Sequence, residues 1–255
     1  MILFVFEGEK REITLFKTLE ELYFKNEGDE RIICSFCNNI YSLYGRIFET
    51  GEDIVSVVKS QLSNSDKINW SKFKVSDFSQ VFLFFDYDCH DSSASDEKLK
   101  KMLEFFDNET ENGKLYISYP MIEAIRYTKE LPDKDFHSYT VPVSSCCDFK
   151  DLANEFSPYK NMDFILLRTI KKSGMVQIPN EQKLERIRRN WRFIREQHLA
   201  KANYICMGKN EIPKNKIDVS QSNILKNQIE KYIVPAKSVA ILCAFPLFLY
   251  EYFKI

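Results

Sequence analysis

The sequence predicts an α/β fold, with a mostly parallel sheet flanked by helices over residues 1–130 and a mainly helical C-terminal lobe over residues 131–255. Three observations predict it. Short apolar runs that read as buried strands alternate with stretches of helical periodicity through the first 130 residues, the pattern of strand-helix units around a parallel sheet. Two of those runs end in acidic residues, at the position where open α/β sheets bind ligands. Beyond Tyr119, strand-like runs become scarce and long helical periods take over.

In chain order, residues 2–6 (Ile-Leu-Phe-Val-Phe) form the first strand, and Ile13, Phe16, Leu19, Leu22 and Tyr23 recur at helical spacing through residues 11–25. Residues 31–36 are a second strand, followed by helical pieces at 40–47 and 54–62. The third strand covers 81–85, and Leu99, Met102, Leu103 and Phe106 mark the face of the next helix. Residues 115–118 make a short fourth strand. In the second lobe, Leu184, Ile187, Trp191 and Ile194 are spaced three, four and three apart within a helix over residues 180–202, with Pro179 and Asn180 at its start. Residues 224–233 form another amphipathic helix. The apolar stretch 239–250, broken by Pro246, is too short for a bilayer, which needs about 20 apolar residues, and reads as a buried terminal helix. Neither an internal repeat nor a low-complexity tract stands out.

Composition narrows the class. A chain of 255 residues, 44% hydrophobic and 14% aromatic, can bury a full core. A net charge of −1 neither advertises nor excludes a nucleic-acid partner, so any such surface must be local. The chain starts directly into a strand, without a basic n-region or cleavage site, and a cytoplasmic protein with no membrane partner is expected. The seven cysteines, an odd number mostly in apolar runs, suit reduced thiols. Cys34 and Cys37 have zinc-like spacing, but Cys146 and Cys147 are adjacent and cannot complete a zinc site, so strand-end packing is the reading for that pair.

The acidic residues carry the chemistry. Glu7 follows the first strand, and Asp86 and Asp88 follow the third. Converging carboxylates repel one another unless a cation sits among them, and hard oxygen ligands favour Mg²⁺ or Mn²⁺. Asp86 and Asp88 would face opposite sides of the sheet if both lay in the strand, so Asp88 must belong to the turn beyond it. Glu7, one strand over, is placed to bind an ion or to accept a proton from water. The bland alternative is that Glu-Gly after a strand is common and that Asp-x-Asp caps a helix or meets solvent.

A strand ending in Glu-Gly (Glu7-Gly8), a helix, a second strand and then a strand ending in Asp-x-Asp (Asp86-Tyr87-Asp88) resembles the Toprim domain over about the first 125 residues. The string Phe6-Glu7-Gly8-Glu9-Lys10-Arg11-Glu12 is most similar to the RloB-like and OLD-like Toprim nucleases of phage defence. The resemblance implies catalytic roles for Glu7, Asp86 and Asp88 with Mg²⁺ or Mn²⁺, and cleavage of phosphodiester bonds in DNA or RNA. It also implies an ATPase partner. Tyr119-Pro120-Met121-Ile122-Glu123 matches a Pro-x-x-Glu placement in those relatives and adds Glu123 as a fourth ligand. The chain departs from the pattern at Cys89-His90-Asp91, where many relatives have a glycine; His90 and Asp91 read as loop residues.

Basic residues offer the substrate surface. Lys171, Lys172, Lys183, Arg186, Arg188, Arg189, Arg192 and Arg195 outnumber Glu181, Glu185 and Glu196, and most of these arginines lie off the apolar stripe of the helix. Arg188, Arg192 and Arg195, together with Lys10, are the expected phosphate contacts. A solvated face that offsets the acidic lobe is the competing reading. Glu9, Lys10 and Glu12 are expected to be exposed at a helix start, with reach into the metal shell as the alternative for Glu12. Besides the nuclease, three other functions remain open: a non-catalytic regulatory or interaction module with this fold, a haloacid-dehalogenase-type phosphatase, and a primase-like nucleotidyl transferase.

Overall fold

The computed structural model describes residues 1–25, 27–62, 68–87, 95–167, 169–170, 176–177 and 181–253. Its strands are β1 (Ile2–Phe6), β2 (Arg31–Ser35), β3 (Gln80–Asp86), β4 (Asp107–Asn108), β5 (Gly113–Ser118), β6 (Thr140–Pro142), β7 (Thr169–Ile170), β8 (Val176–Gln177) and β9 (Ser238–Ala240). Its helices are α1 (Arg11–Tyr23), α2 (Ile40–Thr50), α3 (Ile54–Leu62), α4 (Asp96–Phe105), α5 (Phe149–Phe156), α6 (Glu181–Met207), α7 (Gln221–Gln228), α8 (Val234–Ala236) and α9 (Ala244–Phe253). The main sheet runs β2-β1-β3-β5-β4, parallel except for β4. The protein is therefore α/β, with a mostly parallel sheet flanked by helices and a helical C-terminal region.

Local signals account for the boundaries. The Asn39 side chain accepts from Ser42 N–H at 3.0 Å to start α2, and Gly51 ends it in the left-handed conformation at φ 68°. Ser95 caps α4 in the same way. In β1, Ile2 to Phe6 are all buried, as expected for a central strand covered on both faces. The side chains of Phe4, Phe6, Phe82 and Phe84 share one face of the sheet, and Phe16 of α1 and Phe245 and Phe248 of α9 cover it. On the opposite face, Phe85 meets Phe36.

The last apolar stretch is more divided than the sequence predicts. Ser238–Ala240 is a strand paired with β6, and only Ala244–Phe253 is helical, with Pro246 in its first turn, where no backbone donor is lost. α9 lies against β5, where Glu251 accepts a 2.7 Å hydrogen bond from the Tyr116 hydroxyl and forms a 2.7 Å ion pair with Lys114. The hydrophobic core is thus continuous across position 130.

The 27-residue α6 packs against α7 and α9 within the second region. Its apolar stripe of Ile187, Trp191, Ile194, Ala202 and Ile205 is buried as the periodicity predicts. Its polar buried residues serve irregular backbone. His198 Nδ1 accepts from Cys243 N–H at 3.1 Å, which leaves the ring proton on Nε2, and burial holds this imidazole neutral by pushing its pKa down to about 3. Lys201 donates to the carbonyls of Phe136, His137 and Tyr139 at 3.3, 2.8 and 2.6 Å.

Among the described residues, Cys146 departs from the expectation of reduced thiols. Cys34, Cys37, Cys147, Cys206 and Cys243 are free thiols, whereas Cys146 is disulfide-bonded. Among the described residues, no helix is long and apolar enough to cross a membrane.

Two outcomes follow for stability. Phe248→Ala removes a ring that meets Phe4, Phe82, Phe84 and Tyr116, and should cost about 3–5 kcal/mol in chemical denaturation. A loss below about 1 kcal/mol would mean that α9 does not seal the sheet. Burial pushes the Lys201 ammonium down to about 7, below its ordinary 10.5. Between those values the unfolded chain binds more protons, so stability rises with pH through that window, and the cost is fully present below about 7. Relative to Lys201→Met, the native chain should gain stability from pH 7 to 10 in urea titrations. A constant difference would show that the three carbonyls keep Lys201 charged.

Candidate active site at the C-terminal edge of the sheet

Parallel strands deliver their ends to a common edge, and here that edge is acidic. Glu7 directly follows β1, and its backbone N–H donates to Phe84 O of β3 at 3.0 Å. Its carboxylate accepts from Asp86 N–H at 2.9 Å, which ties the end of β1 to the end of β3. Asp86 is registered with Ser118 of β5, and Tyr87 N–H donates to both Ser118 O and Pro120 O. Glu7, Asp86 and Ser118 therefore succeed one another along the edge. Glu7 and Asp86 are half-buried.

Glu12 departs from the expectation of an exposed helix start: it is 8% exposed. Gly8 explains how it fits. A Cβ at that position would lie 2.5 Å from both carboxylate oxygens of Glu12, so the missing side chain opens the space the carboxylate fills. Burial raises the Glu12 pKa above the ordinary carboxylate value, opposed by backbone hydrogen bonds from Glu12 and Gly8 and by the Arg11 charge. Cys243, at the foot of α9, joins the same edge. Burial pushes its thiol up to about 12, with Asp86 and Glu12 adding to the shift.

Glu123 is also buried, in the 3-10 turn Ile122–Arg126 that follows the fourth parallel strand, and it forms an ion pair with Arg11. Its charge is thereby compensated from within the chain. Arg126, fully buried, donates to Lys150 O and to Asn154 Oδ1 at 3.2 and 2.9 Å. Burial and the neighbouring Arg11 lower its pKa.

Asp88 lies outside the described residues, as do Cys89, His90, Asp91, Lys171, Lys172, Pro179 and Asn180. Among the described residues, no three His, Cys, Asp or Glu side chains gather closely enough to hold a metal ion. Glu7 and Asp86 are thus brought together, while Glu123 is turned to Arg11.

Of the basic residues, Lys10, Arg188 and Arg192 are exposed, and Arg188 pairs with Glu185 at 3.8 Å. Arg195 is half-buried beside Tyr23 of α1, whose hydroxyl pKa it lowers against the larger effect of burial. Arg11 and Glu12, in the same string as Glu7, prove central to this edge. Sequence periodicity could not mark them, because the first turn of a helix faces outward unless a neighbouring loop covers it.

Comparison with known proteins found no matching family model, no matching curated protein and no matching solved structure.

Gly8→Ala should cost about 1–3 kcal/mol, because the added methyl displaces the buried Glu12 carboxylate from its backbone donors. In a Glu12→Ala background the same change should be close to neutral, a coupling that a double-mutant cycle in thermal or urea unfolding reads directly. Equal costs in both backgrounds would separate the two positions.

Proposed function

We propose that this chain is a metal-dependent nuclease that cleaves phosphodiester bonds in DNA or RNA, with Glu7 and Asp86 as its central carboxylates. One observation supports this above the others: adjacent parallel strands bring these two acids to the same sheet edge, in direct hydrogen-bond contact through Asp86 N–H. Both are hard oxygen donors of the kind Mg²⁺ or Mn²⁺ prefers, and two acids from neighbouring strands suit such an ion. The described donor set is incomplete by itself, so the proposal draws on Asp88, two residues beyond Asp86, as a further ligand. A divalent ion, when bound, would neutralise charge on phosphorus and on the leaving oxygen.

The chain's own groups have separate tasks in this reading. The Asp86 N–H orients the Glu7 carboxylate, which takes a proton from the attacking water. Arg11 compensates Glu123, limiting the negative charge that an incoming phosphate meets. Lys10, exposed three residues beyond Glu7, holds backbone phosphate. Service in phage defence beside an ATPase rests on the resemblance to RloB-like and OLD-like Toprim nucleases alone.

A second reading has its own support. In a non-catalytic module of this fold the same acids are structural: Glu7 joins two strand ends, Glu123 anchors α1 through Arg11, and Glu12 packs over Gly8.

The two readings part on metal and cleavage. The native chain should bind Mn²⁺ in calorimetry and cut labelled single-stranded DNA, RNA or tRNA when Mg²⁺ or Mn²⁺ is added. Asp86→Asn and Asp88→Asn should reduce both to background while the melting temperature stays the same or rises, since removing one of several close carboxylates relieves repulsion. Metal binding and cleavage absent from the native chain would select the non-catalytic module. Full cleavage by Asp86→Asn would assign the chemistry elsewhere.

A further inference from the structure

Two adjoining clefts open beside the acidic edge, between the start of α1, the loop of residues 158–166 and α6. The larger, about 550 Å³, is lined by Tyr159, Phe164, Arg186 and Asn190, with Asp163 among its other walls. The smaller, about 220 Å³, is lined by Lys10, Arg11 and Thr14 of the α1 start. Lys160 and Asn161 line both, so the two adjoin along one groove wall.

From these clefts we infer a binding site for single-stranded nucleic acid, with an unstacked nucleotide in the larger cleft and the adjacent backbone phosphates along Arg186, Lys160 and Lys10. It rests on the nuclease reading for its purpose, and on the groove alone for its ligand.

Charge selects an anion. Lys10, Arg11, Lys160 and Arg186 line the groove, and among the described lining residues Asp163 is the carboxylate. Arg11 shares its charge with Glu123, which leaves Lys10, Lys160 and Arg186 to meet phosphate. Shape selects a base. The larger cleft has the volume of a small-molecule pocket, and its aromatic wall is the half-buried ring pair of Tyr159 and Phe164, 4.3 Å apart between centroids, which suits an unstacked base. Amides serve hydrogen bonding to base edges, and Asn161 and Asn190 supply them.

The groove is built rather than incidental. Asn190 donates to Phe164 O at 2.7 Å and Trp191 to Ile165 O at 2.9 Å, so consecutive residues of α6 hold the loop that carries Tyr159, Lys160 and Phe164. Lys10 is three residues from Glu7, a span of at most about 11 Å, so a strand held at Lys10 lies within reach of the acidic edge. Arg186, which lines the larger cleft, belongs to the same basic stretch of α6 as Arg188, Arg192 and Arg195.

The test is fluorescence anisotropy of labelled oligonucleotides with the full chain in EDTA, where no metal-dependent cleavage intervenes. Single-stranded DNA and RNA of one sequence form two arms, with a duplex and a nucleoside monophosphate as competitors. The native chain should bind single strands, and binding should weaken as salt rises. Lys160→Glu and Arg186→Glu should each weaken binding by roughly tenfold or more and lower the log-log salt slope by about 0.7 for each phosphate no longer neutralised. Tyr159→Ala should weaken it by roughly tenfold. Lys226→Glu, an equal charge change on exposed α7 surface, should leave it within about twofold.

Affinity unchanged by Lys160→Glu and Arg186→Glu, or absent from the native chain, would overturn the site. A duplex that competes as well as the strand, with Tyr159→Ala silent, would overturn the base cleft. Tight binding that these substitutions weaken, but no cleavage on adding Mg²⁺ or Mn²⁺, would uphold the groove and sink the nuclease reading. Cleavage that survives Lys160→Glu and Arg186→Glu undiminished would do the reverse.

Discussion

The fold depends on one piece of packing: the aromatic face of the parallel sheet buried beneath the final helix. Phe245 and Phe248 of α9 lie against Phe4, Phe6, Phe82 and Phe84, which come from strands more than 150 residues earlier. Hydrogen-bonded ladders alone define the order of β1, β3 and β5, but a sheet open on one face would not hold its strand ends still. The helix supplies apolar area across several strands at once, so the edge carrying Glu7 and Asp86 becomes rigid only when the last segment of the chain is in place. α9 also brings Cys243 and Ala244 to the edge, where Ala244 N–H donates to Ser118 Oγ at 3.3 Å.

That arrangement leaves much irregular backbone inside the protein, and buried polar groups must find partners. Side chains substitute for strands. Gln228 pairs with both backbone groups of Ala240, accepting at 2.9 Å and donating at 2.7 Å, as a neighbouring strand would. Gln221 accepts from Ile117 N–H on the β5 edge that the short β4 does not reach. Lys201 gathers three carbonyls, and His198 takes Cys243 N–H. These residues sit on helices α6 and α7; Gln221 joins the helical region to the main sheet by a directional bond, and the others bind the backbone around β6 and β9. Such bonds specify register in a way that area burial does not.

At the edge, electrostatics is arranged in layers. Glu7 and Asp86 form the innermost pair, Glu12 is buried against Gly8 with its carboxyl pKa raised by burial, and Glu123 is compensated by Arg11. Cations increase outward, from Arg11 through Lys10 and Lys160 to Arg186. An acidic centre bordered by a basic groove repels free anions from the acids while holding a polyanion that has contacts on both sides.

The strands around Glu7 and Asp86, α1, α2, α3, the buried stripe of α6 and the parallel character of the sheet were legible in the sequence, because each rests on a period of two or 3.6 residues within a short window. The meeting of Glu7 with Asp86 at one edge followed too, since parallel strands end on the same side. What covers each surface was decided by tertiary structure. The stretch at 239–250 reads as one helix, yet pairing with β6 draws its start into β9. Glu12 reads as an exposed acid but is buried against a glycine, and the Arg11 partner of Glu123 has no mark in the sequence. The groove, too, lay beyond the sequence, because Lys10, Lys160 and Arg186 share no local pattern. Periodicity reports which face of an element is buried; it carries no information about which distant segment does the burying, and that choice positions every charge at this site.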